Sequence, residues 1–244
     1  MVRSGAPAPG GVRGASLDLA AGGGLALATV AGSSLLLGLP ASYVLAGVAL
    51  YAALAALVLR TLPAGAPGPG VGAANRVTLG RAALATPVFA LSVWAAPLGA
   101  RGAWLVIAVS TTVMLLDGLD GRVARRTGSA SAFGARFDME LDAALLLALS
   151  VLVWRSEKVG AWVLLIGLMR YAFVAASWRW PALAAELPPS LRRKVVCVVQ
   201  GVVLLVALGP IIPAGMAVAV TALGLASLAW SFAVDVRWAL RHNA

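Results

Sequence analysis

An all-α, polytopic transmembrane helical bundle is predicted by three features of the sequence. Of its 244 residues, 61% are hydrophobic and only 11% charged; the mean hydropathy is +0.94; and apolar stretches recur along the whole length. An ordinary soluble domain carries about a quarter charged residues, and crossing a hydrocarbon core of about 30 Å takes roughly 20 predominantly apolar ones. The mass of the chain therefore belongs in a bilayer.

Residues 1–16 are rich in Gly, Ala, Pro and Arg and read as a flexible cytoplasmic N-terminus. Spans Leu17 to Leu39 and Ala41 to Leu59 follow as an N-terminal transmembrane pair (residues 17–61), with no charged side chain between Asp18 and Arg60. The first span lies behind Arg3 and Arg13 like a secretory signal, but its apolar region is longer than a usual signal core and leads straight into another span, so it is read as retained. Residues 62–74 hold too much Pro and Gly for a helix and form a linker. From Asn75 a six-helix unit (residues 75–244) is expected, with spans Ala82 to Leu98, Ala103 to Leu116, Phe137 to Trp154, Val159 to Ser177, Val195 to Leu208 and Met216 to Ala233. No internal repeat is visible, which removes support for the inverted-repeat plan of many transporters.

The formal charge of +10 does not point to nucleic acid, because the basic residues sit at the ends of spans. With the N-terminus inside, all the Lys and Arg fall on one side except Arg101, Arg155, Lys158 and Arg170, the last lying within a span. The positive-inside rule then puts the majority, including the Arg122 to Arg136 group, in the cytoplasm of a multi-pass cell-membrane protein. Interfacial tryptophans agree: Trp94, Trp104, Trp154 and Trp162 mark the outer level, and Trp178, Trp180, Trp230 and Trp238 the inner one. Cys197 is the single cysteine, which excludes an intramolecular disulfide and a cysteine-rich metal site.

Of nine acidic residues, five (Asp117, Asp120, Asp138, Glu140 and Asp142) are crowded into one short stretch. A solvated loop is the ordinary reading of such a cluster, but the spacing argues otherwise. Asp117, Asp120, Gly121 and Ala124 share one face of a helix that prolongs the fourth span. Thr127, Gly128 and Ser129 break it, and a new helix starts among Ser129 to Phe133, capped by Ser129 or Ser131. Gly134, Asp138 and Asp142 then follow at steps of four, so two antiparallel helices can bring four carboxylates together. Uncompensated carboxylates at a membrane boundary are costly, and a divalent cation lowers their repulsion. Oxygen-only ligands suit Mg²⁺, Mn²⁺ or Ca²⁺, and Mg²⁺ is commonly held by a few carboxylates together with substrate phosphates.

The stretch Asp117-x-x-Asp120-Gly121-x-x-Ala124-Arg125, eight residues, Gly134-x-x-x-Asp138-x-x-x-Asp142 resembles the complete signature of the class I CDP-alcohol phosphotransferase (CDP-alcohol phosphatidyltransferase) family. Asn75-Arg76-Val77-Thr78-Leu79-Gly80-Arg81 is similar to that family's Asn-x-x-Thr-x-x-Arg segment, with Ala74 where a proline often precedes the Asn. The resemblance covers roughly Asn75 to Ala233, a six-helix core to which the first two helices are an addition. It implies a metal-dependent transferase of phospholipid synthesis that moves a phosphatidyl or other substituted phosphate group from a CDP-alcohol to an alcohol acceptor and releases CMP. CDP-diacylglycerol is the favoured donor, because the aspartates sit at the membrane boundary. It further implies two Mg²⁺ or Mn²⁺ ions held by Asp117, Asp120, Asp138 and Asp142, with Asp142 taking the proton of the acceptor hydroxyl, and a CDP site lined by Asn75, Thr78, Gly121, Ala124, Arg125 and Gly134. A homodimer is expected from the resemblance alone.

Arg170 lies inside a span near its cytoplasmic end, where an arginine either snorkels or serves a site. Pointing inward, it would form with Arg193 and Lys194 a basic pocket for a phosphorylated acceptor. The glycerol-phosphate branch of the family carries Gly-Lys-x-x-Thr-x-x-Gln here; this chain keeps Lys194 and Gln200 but has Arg193 and Cys197 in place of the glycine and threonine, which leaves the acceptor open. A divalent-metal transporter would need ionisable groups deep in several spans, and only Arg170 is found. A catalytically silent relative serving as a membrane binding or assembly protein is disfavoured by the intact set of four aspartates.

Overall fold

The computed structural model describes residues 9–63, 70–94, 97–127, 131–184, 188 and 190–243, with side chains described except at 9–13, 119–127, 184 and 243. The described residues form eight α-helices and no strand: α1 (Pro9–Leu37), α2 (Ala41–Thr61), α3 (Ala73–Val93), α4 (Gly99–Thr127), α5 (Ala132–Arg155), α6 (Leu164–Arg179), α7 (Leu191–Leu208) and α8 (Ala214–Asn243). Short 3-10 turns lie at Ala161–Val163 and Pro181–Ala184. The chain is an all-α, polytopic helical bundle, and large apolar side chains such as Leu35, Leu115 and Leu223 stand on its surface, as a lipid-facing wall requires.

Five stretches are long and apolar enough to cross a membrane: Gly14–Leu37, Ala41–Thr61, Gly99–Gly118, Ala161–Arg179 and Ala214–His242. The other three helices, also expected as spans, do not reach that measure. Each gives part of its length to charges: Arg76 and Arg81 in α3, Asp138, Glu140 and Asp142 in α5, and Arg192, Arg193 and Lys194 in α7. Helix α1 starts at Pro9, inside the stretch expected to be flexible through residue 16. Tertiary packing explains the difference, since Ala15 and Leu19 are buried in a cluster with Tyr51, Val58, Val71, Leu79 and Ala83.

The chain divides into two compact units, Met1–Ala96 with Ala108–Asp142, and Pro97–Ile107 with Ala143–Ala244. In the first unit α1 packs on α2 and α3 through polar ties as well as apolar ones. Tyr51 Oη donates to the Leu19 carbonyl at 2.8 Å, and the close approach of Tyr51 to α1 needs Gly22 there. Pro87 lies inside α3 and brings no N–H, which releases the carbonyl of Ala83 from the helix ladder; Thr29 Oγ1 of α1 lies 3.3 Å from that carbonyl and shares its one proton between it and the Ala26 carbonyl at 3.0 Å.

Asp18 of α1 holds the start of α3. Its carboxylate accepts from the Val71 N–H at 3.0 Å and from Arg76 Nε at 2.9 Å. Gly70 and Gly72 turn the chain into α3 at φ +74° and +90°, a region that favours glycine, and a Cβ on Gly70 would collide with Asp18. Asp18→Ala leaves the Val71 N–H without its acceptor and removes an ion pair whose arginine is half exposed. The expected cost is about 1–3 kcal/mol, most of it from the orphaned N–H. A thermal-unfolding midpoint in detergent lowered by several degrees checks this.

In the second unit α7 packs against α8. Gln200 Nε2 donates to the Gly224 carbonyl at 3.1 Å and Ser227 Oγ at 3.2 Å, and Phe173 of α6 meets Phe232 of α8 edge-on at 5.5 Å. Gly167 lets α6 approach the backbone of α5 at Leu147, where a Cβ would overlap main-chain atoms. Helix α8 runs past the expected end at Ala233 because its last turns are also packed: Asp235 is buried and receives Arg192 at 2.5 Å.

Candidate active site

Three helices of the first unit converge on the acidic residues. Helix α4 continues past its apolar stretch to Thr127, as expected, and carries Asp117 there. Helix α5 opens on Ser131, whose Oγ accepts from the Gly134 N–H at 3.0 Å, the contact of a helix N-cap. Ser129, the other candidate cap, lies outside the described residues. Phe133 and Phe137, stacked at 6.1 Å, pack against the core shared with α1 and α2, which leaves Gly134, Asp138 and Asp142 along a neighbouring face of α5.

Asp117, Asp138 and Asp142 each offer a carboxylate oxygen within 4.8 Å of the others, and all three side chains are about one-third exposed. Arg81 of α3 reaches into them with its side chain only 1% exposed. Its Nη1 pairs with Asp138 and lies 2.8 Å from Asp117 Oδ1; Nη2 is 2.7 Å from Asp142 Oδ1; Nε donates to the Val113 carbonyl of α4 at 3.2 Å. Among the described side chains, one guanidinium thus faces three carboxylates. Asp117 Oδ1 is buried yet accepts no hydrogen bond, because Nη1 approaches it away from the line of its N–H bonds. Three carboxylates within reach of one another and a buried oxygen that accepts no hydrogen bond suit a divalent cation.

Asn75 and Thr78, expected at the nucleotide, are both buried. Asn75 Nδ2 donates to the Val71 carbonyl at 2.7 Å, and its Oδ1 occupies the space that a Cβ on Gly134 would need. Two signature residues from distant parts of the sequence are thus in contact. The side chains of Asp120, Gly121, Ala124 and Arg125 lie outside the described residues, although their backbone belongs to α4. Arg170, Arg193 and Lys194 belong to the second unit. Arg170 is half-buried in α6, Lys194 is exposed, and Arg193 pairs with Asp235 at 3.3 Å and with the Pro188 carbonyl.

The family model for CDP-alcohol phosphatidyltransferases matches residues 71–233, two-thirds of the chain, and spans every helix that carries these side chains. The chain belongs to the CDP-alcohol phosphatidyltransferase family. No curated protein and no solved structure was found to match it. Membership makes this a transferase acting on CDP-alcohols, in a family typically dependent on divalent metal, and the Asp117, Asp138 and Asp142 group is where such an ion could be held. The match begins after α1 and α2: Asp18, Thr29 and Tyr51 all precede it.

Arg81 belongs to the segment that resembles the family's Asn-x-x-Thr-x-x-Arg, but it was not among the site residues expected from the sequence. A signal for it exists. It is the one cation inside the apolar run from Val77 to Leu98, and it stands three residues beyond Thr78 as the Arg of the segment begun by Asn75.

Proposed function

We propose that this chain transfers a phosphatidyl group from CDP-diacylglycerol to a small alcohol or phosphorylated alcohol, with release of CMP, at the cytoplasmic face of the cell membrane. The observation that carries this reading is the convergence of Asp117, Asp138 and Asp142 within 4.8 Å in a chain of this family. Asp117, Asp120, Asp138 and Asp142 hold Mg²⁺ or Mn²⁺, two ions in all. Bound there, the metal neutralises the diphosphate and stabilises CMP as leaving group.

The protein's own groups supply the rest. The Asp142 carboxylate takes the proton of the acceptor hydroxyl, whose oxygen forms the new P–O bond as the bond to CMP breaks. Arg125 holds phosphate oxygens in a bidentate fork. Gly121, Ala124 and Gly134 keep the walls of the CDP site low, and Asn75 and Thr78 position the segment beside it. Arg170, Arg193 and Lys194 receive the acceptor, a role that suits a phosphate-bearing one. Residues 75–244 form the catalytic domain, and a homodimer is the assembly this reading carries with it.

The test is CMP release by the purified full chain from CDP-diacylglycerol with Mg²⁺ or Mn²⁺, offering glycerol 3-phosphate, inositol 1-phosphate, inositol or serine singly. Acceptor-dependent CMP that disappears with EDTA and in Asp117→Asn is expected. Metal-independent release removes the metal assignment. Silence with every acceptor, and with CDP-linked polar alcohols offered to diacylglycerol, removes the enzyme reading in favour of a binding protein.

A further inference from the structure

We infer that Arg81 is the positioning residue of the carboxylate group: it holds Asp117, Asp138 and Asp142 together while no metal is bound, and yields their oxygens when metal arrives. The inference rests on the metal reading proposed above. Its ground is where the guanidinium sits. An arginine that merely braced a metal site would bind outer oxygens from behind and leave the centre of the group open. Arg81 instead reaches all three aspartates of the group at once, from a third helix, so that a cation of the protein's own already lies among the carboxylates that would hold the metal.

The burial of Arg81 makes the same point. A guanidinium that is 99% shielded from solvent is tolerated only where charge and hydrogen bonds compensate it; its donors go to Asp138, Asp142 and the Val113 carbonyl, and Asp117 pairs with it by charge. Three carboxylates on α4 and α5 would otherwise repel across a short gap. Arg81 therefore ties α3, α4 and α5 in the ion-free protein. Its fork also engages Asp142, whose Oδ1 accepts from Nη2 at 2.7 Å.

A brace and a place-holder respond oppositely to removal. Loss of a brace weakens metal binding by about 10–100-fold. Loss of a place-holder removes a competing cation and an ion-free stabiliser, so metal binds more tightly. The experiment uses the purified full chain with Arg81→Met and Arg81→Lys, no substrate present, reading Mn²⁺ binding by the paramagnetic resonance of free Mn²⁺ and unfolding temperature in EDTA and in Mn²⁺.

Arg81→Met is expected to bind Mn²⁺ at least about ten-fold more tightly than the wild type, to unfold roughly 5 °C or more lower in EDTA, and to recover most of that difference in Mn²⁺. Arg81→Lys, which keeps a charge but not the fork, is expected between the two. Weaker Mn²⁺ binding by both variants makes Arg81 a brace and overturns the inference while sparing the metal site. An unchanged unfolding temperature in EDTA overturns it as well. Absence of Mn²⁺ binding in wild type and variants alike removes the metal reading and this inference together.

Discussion

Asp142→Asn should slow acceptor-dependent CMP release by roughly 10²–10⁴-fold, the range supplied by a positioned general base. Asparagine has nearly the shape of aspartate, and its amide oxygen can still accept from Arg81 Nη2, which Asp142 now does at 2.7 Å. Asp117 and Asp138 remain to neutralise Arg81, so the helices should stay assembled. What is lost is the capacity to take a proton and one of the four charges proposed to hold the metal, so the assay is run at saturating Mg²⁺ or Mn²⁺. The loss should appear in kcat with the KM for the CDP-alcohol within a few-fold of the wild type, since an interaction made only in the transition state is removed. A raised KM with unchanged kcat would instead make Asp142 a donor-holding residue. Steady-state CMP release over a range of donor concentrations separates the two.

Gly134→Ala should be nearly as damaging although it adds a single methyl. The new Cβ would overlap Asn75 Oδ1 and lie 3.1 Å from Ser131 Oγ. Asn75 cannot turn aside freely, because its amide is tied to the Val71 carbonyl at 2.7 Å and its side chain is 2% exposed. Either Asn75 gives up that bond or α5 moves away from α3, carrying Asp138 with it. Overpacking of this kind costs about 1–3 kcal/mol, and a displacement of the order of 1 Å at a reacting group can cost about 10²-fold in rate. Activity down by at least about ten-fold, with a lowered unfolding temperature, is the expected result. Asn75→Ala in the same chain should restore stability by opening the space, a favourable coupling that a double-mutant cycle measures. If the pair of substitutions simply adds, the contact between the two signature residues is not what limits Gly134.

Much of this was legible without coordinates. Helix positions follow from apolar period and length, and the structure has helices over all eight expected spans. The acidic face was legible for the same reason: residues three and four apart on a helix are neighbours whatever surrounds them, so the spacing of Asp138 and Asp142 already placed them side by side. The start of α1 at Pro9 was not legible, because Gly- and Pro-rich composition argues for a flexible segment while burial of Ala15 against α2 and α3 stabilises a helix.

Arg81 was hidden for a related reason. In the sequence it holds the Arg position of the Asn75-x-x-Thr78-x-x-Arg81 segment, which sets it apart from Arg76, but the segment does not say which residues it meets. In the structure Arg76 faces Asp18 and is half exposed, whereas Arg81 faces three aspartates and is buried. That partnership is decided by helix packing and not by local spacing.

The sequence by itself determined the all-α membrane architecture, the order of the helices, the family signature and the alignment of the carboxylates along their helices. These depend on composition and on separations of a few residues. Only the tertiary structure decided that Arg81 enters the carboxylate group, that Asn75 rests on Gly134, and that Asp18 and Thr29 of α1 hold α3. Each of these joins residues more than fifty positions apart or on different helices, and such contacts come from helix packing, which apolar periodicity constrains in direction but not in register.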